Sequence, residues 1–360
     1  MKRTGSLLCA IFLLGAALPA WGQTLLPVKR SGKYGYINPK GKLMIPFQFD
    51  FGARFSEGYA VVIIGRKYGY IDARGTFVIN PQFDYGWYFK NGLAKVLVEK
   101  RFGYVNTRGK LVVKAQFDSA SHEFRSGLAL VKIGGPYGKW GFINKQGKYQ
   151  INPQFHNAHP FSENLAAVKK TKTWGFISTQ GVYQVAATFS GARSFSEGLA
   201  GVKIASKWGY INKQGKLVIN PQYSDVQDFQ NGIAPIKISQ KWGYIDKRGK
   251  YLINPQFDAV SATISEGMAQ VKVGSKWGYI DSRGNMRVKP QYEETTSFSD
   301  SLAAVKLNGK WGYIDKKGAF AINPIFDDGE PFKNGIAPVT MGEKFGYINK
   351  KGSYIWKPTK

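Results

Sequence analysis

His122, His156 and His159 are the only histidines in the chain, and Glu123 and Glu163 lie near them in sequence. Imidazole nitrogens beside carboxylates form the donor set that holds zinc or copper. Stacking of adjacent repeat copies would bring His122 towards His159. All three histidines, however, fall in irregular stretches of two neighbouring copies, as solvent-facing loop residues do, so no metal and no cofactor is assigned. A second chemistry would need two carboxylates flanking a glycan as acid and base. Glu57, Glu163, Glu197 and Glu266 recur at one repeated position, where Asn91, Ser126, Asn231, Asp300 and Asn334 stand in other copies. That exchange suits a polar turn former better than a catalytic acid. No phosphate-binding glycine loop, Ser-His-Asp set or His-Glu-x-x-His helix is present, and the chain reads as non-enzymatic.

Basic residues make the stronger pattern. One column precedes an aromatic residue: Lys33, Lys67, Arg101, Lys139, Lys207, Lys241, Lys276, Lys310 and Lys344, interrupted by Thr173. Another ends a strand: Lys29, Lys132, Lys169, Lys203, Lys237, Lys272 and Lys306. Repetition would align such residues in rows along an array, which suits an acidic polymer. The plainer alternative is that the lysines protect exposed strands from edge pairing.

These columns belong to an internal repeat. Aromatic-Gly pairs begin at Tyr34, Tyr68, Phe102, Trp140, Trp174, Trp208, Trp242, Trp277, Trp311 and Phe345, spaced by 34 residues except for one step of 38 and one of 35. Each copy is too small to bury its own apolar face and depends on its neighbours. Residues 233–266 show the grammar. Ala234, Ile236 and Ile238 alternate on one strand; Trp242 and Tyr244 share a face of the next; Tyr251–Pro255 makes a third. Asp246-Lys247-Arg248-Gly249 supplies an Asp to start a tight turn and a Gly for positive φ. The Gly recurs in all ten copies, among them Gly215, Gly284 and Gly318. Proline after the third strand is expected to end pairing there. The stretch from Gln-Phe-Asp to Ser-Glu-Gly fits either a short fourth strand or one helical turn.

The segment Lys207-Trp208-Gly209-Tyr210-Ile211-Asn212-Lys213-Gln214-Gly215-Lys216 resembles the bacterial WG (or KWG) β-repeat proteins, and the resemblance spans about residues 25 to 358. It implies an all-β array found in exported or surface-associated proteins, with Trp140, Trp174, Trp208, Trp242, Trp277 and Trp311 as structural anchors.

Lys2 and Arg3 precede an apolar stretch from Leu7 to Leu18, followed by Pro19 and small residues, the pattern of a cleavable secretion leader over residues 1–22. Residues 23–360 then form a single repeat array. The lone cysteine, Cys9, lies in the leader, so the mature chain carries no thiol for disulfides or thiolate metal sites. No later apolar run is long enough to span a bilayer as a helix. Losing Lys2 and Arg3 from the formal +28 leaves a mature charge of +26.

The expected product is an exported binding scaffold at a periplasmic, outer-surface or secreted address. Its expected partner is an acidic polysaccharide, another envelope polyanion or a protein. Nucleic acid is an alternative if aromatics are exposed beside the lysines, and a metal-dependent or glycan-cleaving enzyme a weaker one; the sequence sets no oligomeric state. Ten antiparallel meanders exceed the usual four to eight blades of a propeller, which favours an open superhelical array.

Overall fold

The computed structural model describes residues 25–359, so the leader expected over residues 1–22 lies outside the described residues. Ten antiparallel sheets follow one another, nine of four strands and the first of three. Blade 7 is representative, with strands Asp225–Val226, Ile233–Ile238, Lys241–Asp246 and Tyr251–Phe257. The undecided stretch is thus a two-residue strand, followed by a tight turn closed by the Gln230–Ile233 bridge.

Proline does not end the last strand, because Pro255 sits inside it. Trp242 pairs with Phe257 and Tyr244 with Ile253, so Asn254, Pro255 and Gln256 stand opposite Gly243 alone. Proline is tolerated because this is a bulge. The bulge also explains the glycine of the aromatic-Gly pair: a Cβ at Gly243 would lie 2.5 Å from the Ile253 carbonyl oxygen. By contrast, Gly249 takes φ +83° in the turn, where the Asp246 carboxylate accepts from the amides of Arg248 and Lys250.

The alternation read along single strands understates burial, because every sheet is covered on both faces. Ile233, Tyr244, Ile253 and Phe257 of blade 7 pack against Ile264, Ala269, Val271 and Ile280, which belong to the next repeat. Burying such side chains contributes roughly 1.5–3 kcal/mol each. The same contact joins the last blade to the first: Ile336 and Tyr347 pack on Val28 and Ile37. Phe47 meets Trp356, and Arg30 lies over that indole.

The array is therefore a closed ten-bladed ring, a β-propeller, and the expectation of an open superhelix is overturned. Ten blades close because one inter-sheet contact recurs with constant geometry until blade 10 meets blade 1. The non-Trp anchors are not end caps. Phe345, Tyr34, Tyr68 and Phe102 occupy consecutive blades 10, 1, 2 and 3 across the seam.

Antiparallel order gives the ring two rims. One carries the turns between second and third strands together with the junctions linking blades. The other carries the Asx-x-x-Gly turns and the Ser-Glu-Gly turns. Among the described residues, no helix is long and apolar enough to cross a membrane.

Candidate binding surfaces

On the junction rim, most of the pre-aromatic cations meet an acid seventeen residues later. Lys33 reaches Asp50 at 2.5 Å, Lys67 reaches Asp84 at 2.6 Å, and Lys241 reaches Asp258 at 2.5 Å. Arg101 pairs with Asp118, Lys310 with Asp327, and Lys276 with Glu293 at 3.9 Å. Each acid also accepts a backbone amide from the next blade's turn; Asp50 takes Gly65 N at 2.8 Å and Asp258 takes Gly274 N at 2.7 Å. The lysine hydrogen bond first, and the turn amide second, hold the Asp50, Asp84, Asp258 and Asp327 carboxyls below the usual range. In these blades the basic column is a set of junction clasps.

Three consecutive junctions lack the acid, with His156, Ser190 and Ser224 in its place. His156 Nδ1 bonds the Lys170 carbonyl, Ser190 Oγ donates to the Lys203 carbonyl at 3.0 Å, and Ser224 Oγ donates to the Lys237 carbonyl at 3.0 Å. Lys139 and Lys207 therefore face a neutral junction. Residues 139–224 hold eleven basic side chains against two acids, Glu163 and Glu197. Both acids are engaged, by Lys213 at 2.9 Å and Lys247 at 3.0 Å. The positive charge of this arc is thus offset by an acid at none of its three junctions.

The second column is varied. Lys237 and Lys272 lie 5.7 Å from the ring centres of Trp242 and Trp277, and Lys306 reaches Glu294 at 2.7 Å. Lys203 is half-buried in the arc whose junctions lack the acid. Trp174 and Trp311 are buried, and Trp140, Trp208, Trp242 and Trp277 are half-buried, so the repeat tryptophans serve packing first. Among the exposed aromatics of the described residues Tyr137 stands out furthest, and it lies outside the repeat pattern. The 38-residue step inserts a short 3-10 turn, Gly135–Tyr137, between the second and third strands of blade 4. It lifts Tyr137 to 94% exposure on the junction rim, beside Lys139 and the Lys132 side chain, which caps the Pro136 carbonyl at 3.1 Å.

On the opposite rim, the recurrent glutamates are turn formers, with φ near +52° at Glu57, Glu163 and Glu197. They also staple blades. Glu57 accepts from the amides of Asn91 and Gly92, Glu163 from Gly198, and Glu197 from Gly232. This link between repeats has no signature within one copy.

The histidines are held apart by different neighbours. His122 packs at a tilt against Trp87, His159 likewise against Trp174, and His156 serves its junction. No group of three or more potential metal-ligating side chains occurs among the described residues.

A ring of stacked four-stranded sheets with aromatic-Gly anchors defines a repeat propeller. The chain belongs to the WG containing repeat family, whose model matches nine times, at residues 34–68, 68–101, 102–137, 140–173, 174–208, 208–242, 242–277, 277–311 and 311–345. No curated protein matches it in sequence. Among solved structures, a crystal structure of the eukaryotic initiation factor superposes with a TM-score of 0.55 at 12% identity, covering 82% of this chain and 93% of that one. That likeness is one of fold. PorZ, an essential bacterial surface component of the type-IX secretion system of Porphyromonas gingivalis, aligns at 9% identity with a TM-score of 0.31, covering 93% of this chain and 58% of PorZ.

Proposed function

We propose that the protein is an exported, non-catalytic scaffold that holds an acidic envelope polymer along the junction rim of blades 4 to 6. The observation that carries this reading is the loss of the acid at three successive junctions, 156, 190 and 224. At six other junctions the cation of the same column, Lys33, Lys67, Arg101, Lys241, Lys276 or Lys310, is paired with an acid within the ring. Here Lys170, Lys172 and Lys207 are exposed and Lys139 is half-buried, with Tyr137 projecting two residues before Lys139. Distributed cations favour a polyanion over a small ligand, because each contact adds a modest, salt-screened increment. The leader and the mature charge of +26 support export and an acidic partner.

A second reading, nucleic-acid binding, draws on Tyr137, since an exposed ring beside lysines can stack on a base. The test compares a Lys139→Gln/Lys170→Gln/Lys172→Gln/Lys207→Gln variant with a Lys33→Gln/Lys67→Gln/Lys241→Gln/Lys310→Gln control of equal charge. Binding to polygalacturonate and to single-stranded DNA is measured over a salt series. The arc variant is expected to lose at least tenfold in polygalacturonate affinity and the control much less. Equal losses would reduce the effect to net charge and overturn the reading. Retained polygalacturonate binding with lost DNA binding would transfer it to the second.

A further inference from the structure

The seam of the ring carries a cavity that neither basic column touches. It has a volume of about 700 Å³ and lies along the short-strand segments of blades 2 and 3. Phe51, Tyr85 and Tyr88 line it at 41%, 41% and 50% exposure. Trp87 forms part of the wall, and Arg54 and Lys333 stand on it as cations.

Its origin is structural. Among the described residues blade 1 has no short strand, so the segments of blades 10 and 2 face each other, with Arg54 Nη2 3.9 Å from Glu330 Oε2. The anchor here is Tyr68 rather than Trp, a smaller ring. Tyr68 stacks on Tyr85 at 4.6 Å, and Tyr85 meets Trp87 at 4.1 Å. Behind Trp87, Lys95 is 5% exposed, its Nζ 3.8 Å from the Trp87 ring centre and 3.0 Å from the Ala120 carbonyl oxygen. The indole is thereby fixed between a cation and its aromatic neighbours.

The three linked rings are not coplanar, with interplanar angles of 29° and 45° along the series. The exposed rings of Phe51, Tyr85 and Tyr88 offer apolar surface to the faces of a pyranose chain, while a guanidinium and an ammonium suit a carboxylate.

We propose that this cavity is a binding site for a short uronic-acid oligosaccharide, its sugar faces on Tyr85, Tyr88 and Phe51 and its carboxylates towards Arg54 and Lys333. The proposal deepens the acidic-polymer reading by assigning a saccharide subsite, but it rests on different residues and can stand or fall separately.

The mature protein is titrated with oligogalacturonate, oligoglucuronate and oligomannuronate trimers, and with maltotriose as the neutral comparator. Intrinsic tryptophan fluorescence and calorimetry report binding. At least one uronate trimer is expected to bind and perturb the emission. Tyr88→Ala and Tyr85→Ala should each weaken it at least fivefold. Arg54→Gln/Lys333→Gln should weaken uronate binding while leaving any maltotriose binding unchanged. Because Tyr88 is half-exposed, its variant tests the site without depending on the core, and circular dichroism checks the fold. Absence of binding by all three uronates, or unchanged affinity in Tyr88→Ala and Tyr85→Ala, overturns the proposal. The Lys139→Gln/Lys170→Gln/Lys172→Gln/Lys207→Gln protein should bind the trimers normally. Loss of trimer binding in that variant would assign the saccharide to the junction rim and overturn the cavity assignment, whereas failure of polygalacturonate binding at the rim with intact trimer binding would sink only the rim reading.

Discussion

The Tyr347 phenol donates to the Pro27 carbonyl at 3.0 Å, joining residues 320 apart in sequence. Within the ring the same tyrosine column donates to the next blade, as Tyr210 does to the Gln227 carbonyl at 2.7 Å and Tyr279 to the Thr296 carbonyl at 2.8 Å. Tyr347 therefore makes across the seam the kind of bond its counterparts make between consecutive blades.

Closure predicts that Tyr347→Phe behaves like Tyr210→Phe. Each loses one hydrogen bond and should lower unfolding free energy by about 0.5–1.5 kcal/mol. A neutral Tyr347→Phe beside a destabilising Tyr210→Phe would mean that the seam is open in solution. Hydrogen exchange in Leu26–Arg30 should accelerate in the Tyr347 variant alone.

The two repeated glycines should fail for different reasons. Gly243→Ala drives a Cβ into the Ile253 carbonyl, and backbone cannot yield as a side chain would. Gly249→Val meets the positive φ of the turn, at about 1–3 kcal/mol. Lys247→Ala removes only an exposed pair with Glu197, worth up to about 1 kcal/mol. Denaturant midpoints are expected to place Lys247→Ala nearest wild type; equal midpoints for all three would refute both glycine roles.

Acid should expose the Asp281 turn. Burial alone would raise this carboxyl, but hydrogen bonds from Asn285, Arg283 and Arg287 outweigh it and bring it down to about 2. A depressed carboxyl stabilises the fold above its unfolded value, near 3.8, and that contribution is lost as pH falls towards 2. Asn occupies this turn position at Asn212 and Asn349, so Asp281→Asn should fold. Its stability gap to wild type should change by up to about 2 kcal/mol between pH 5 and pH 2. A pH-independent gap would remove the carboxylate from the account.

The hairpins were legible because each Asx-x-x-Gly turn is encoded within four residues. The aromatic-Gly repeat likewise identified the family and the tandem meander. Closure was not legible, since ring curvature arises from Tyr and Ile side chains of successive sheets and has no local code. The clasps were visible in principle: Lys33 and Asp50, Lys67 and Asp84, and Lys241 and Asp258 share one seventeen-residue offset. The rows of bases alone carry no sign of the neutralised blades or of the gap at His156, Ser190 and Ser224, which only the acid column marks. The seam cavity had no repeat signature, because Tyr85, Trp87 and Tyr88 lie in the least regular part of one copy.

Lys95 provides the sharpest test of the packing behind that cavity. Its counterparts in other blades include Val61, Leu130, Ala167 and Pro235, all compatible with an apolar setting. Desolvation lowers its ammonium to about 8 from the ordinary 10.5. Below pH 8 the folded protein bears the cost of a buried charge, and that cost is relieved as pH rises from 8 to 10.5. Lys95→Met fills similar volume without charge, so it should be the more stable protein at pH 7. Its advantage should shrink by up to about 3 kcal/mol by pH 10.5. Tyrosine ionisation affects both proteins alike and cancels in the difference. His122 gives an independent readout: burial first, and the Lys95 charge second, hold its imidazole below the usual value. Removing the cation should raise the His122 midpoint in an NMR titration. A constant stability gap together with an unmoved His122 would show that Lys95 turns its ammonium to solvent, and with it would go the fixed position of Trp87.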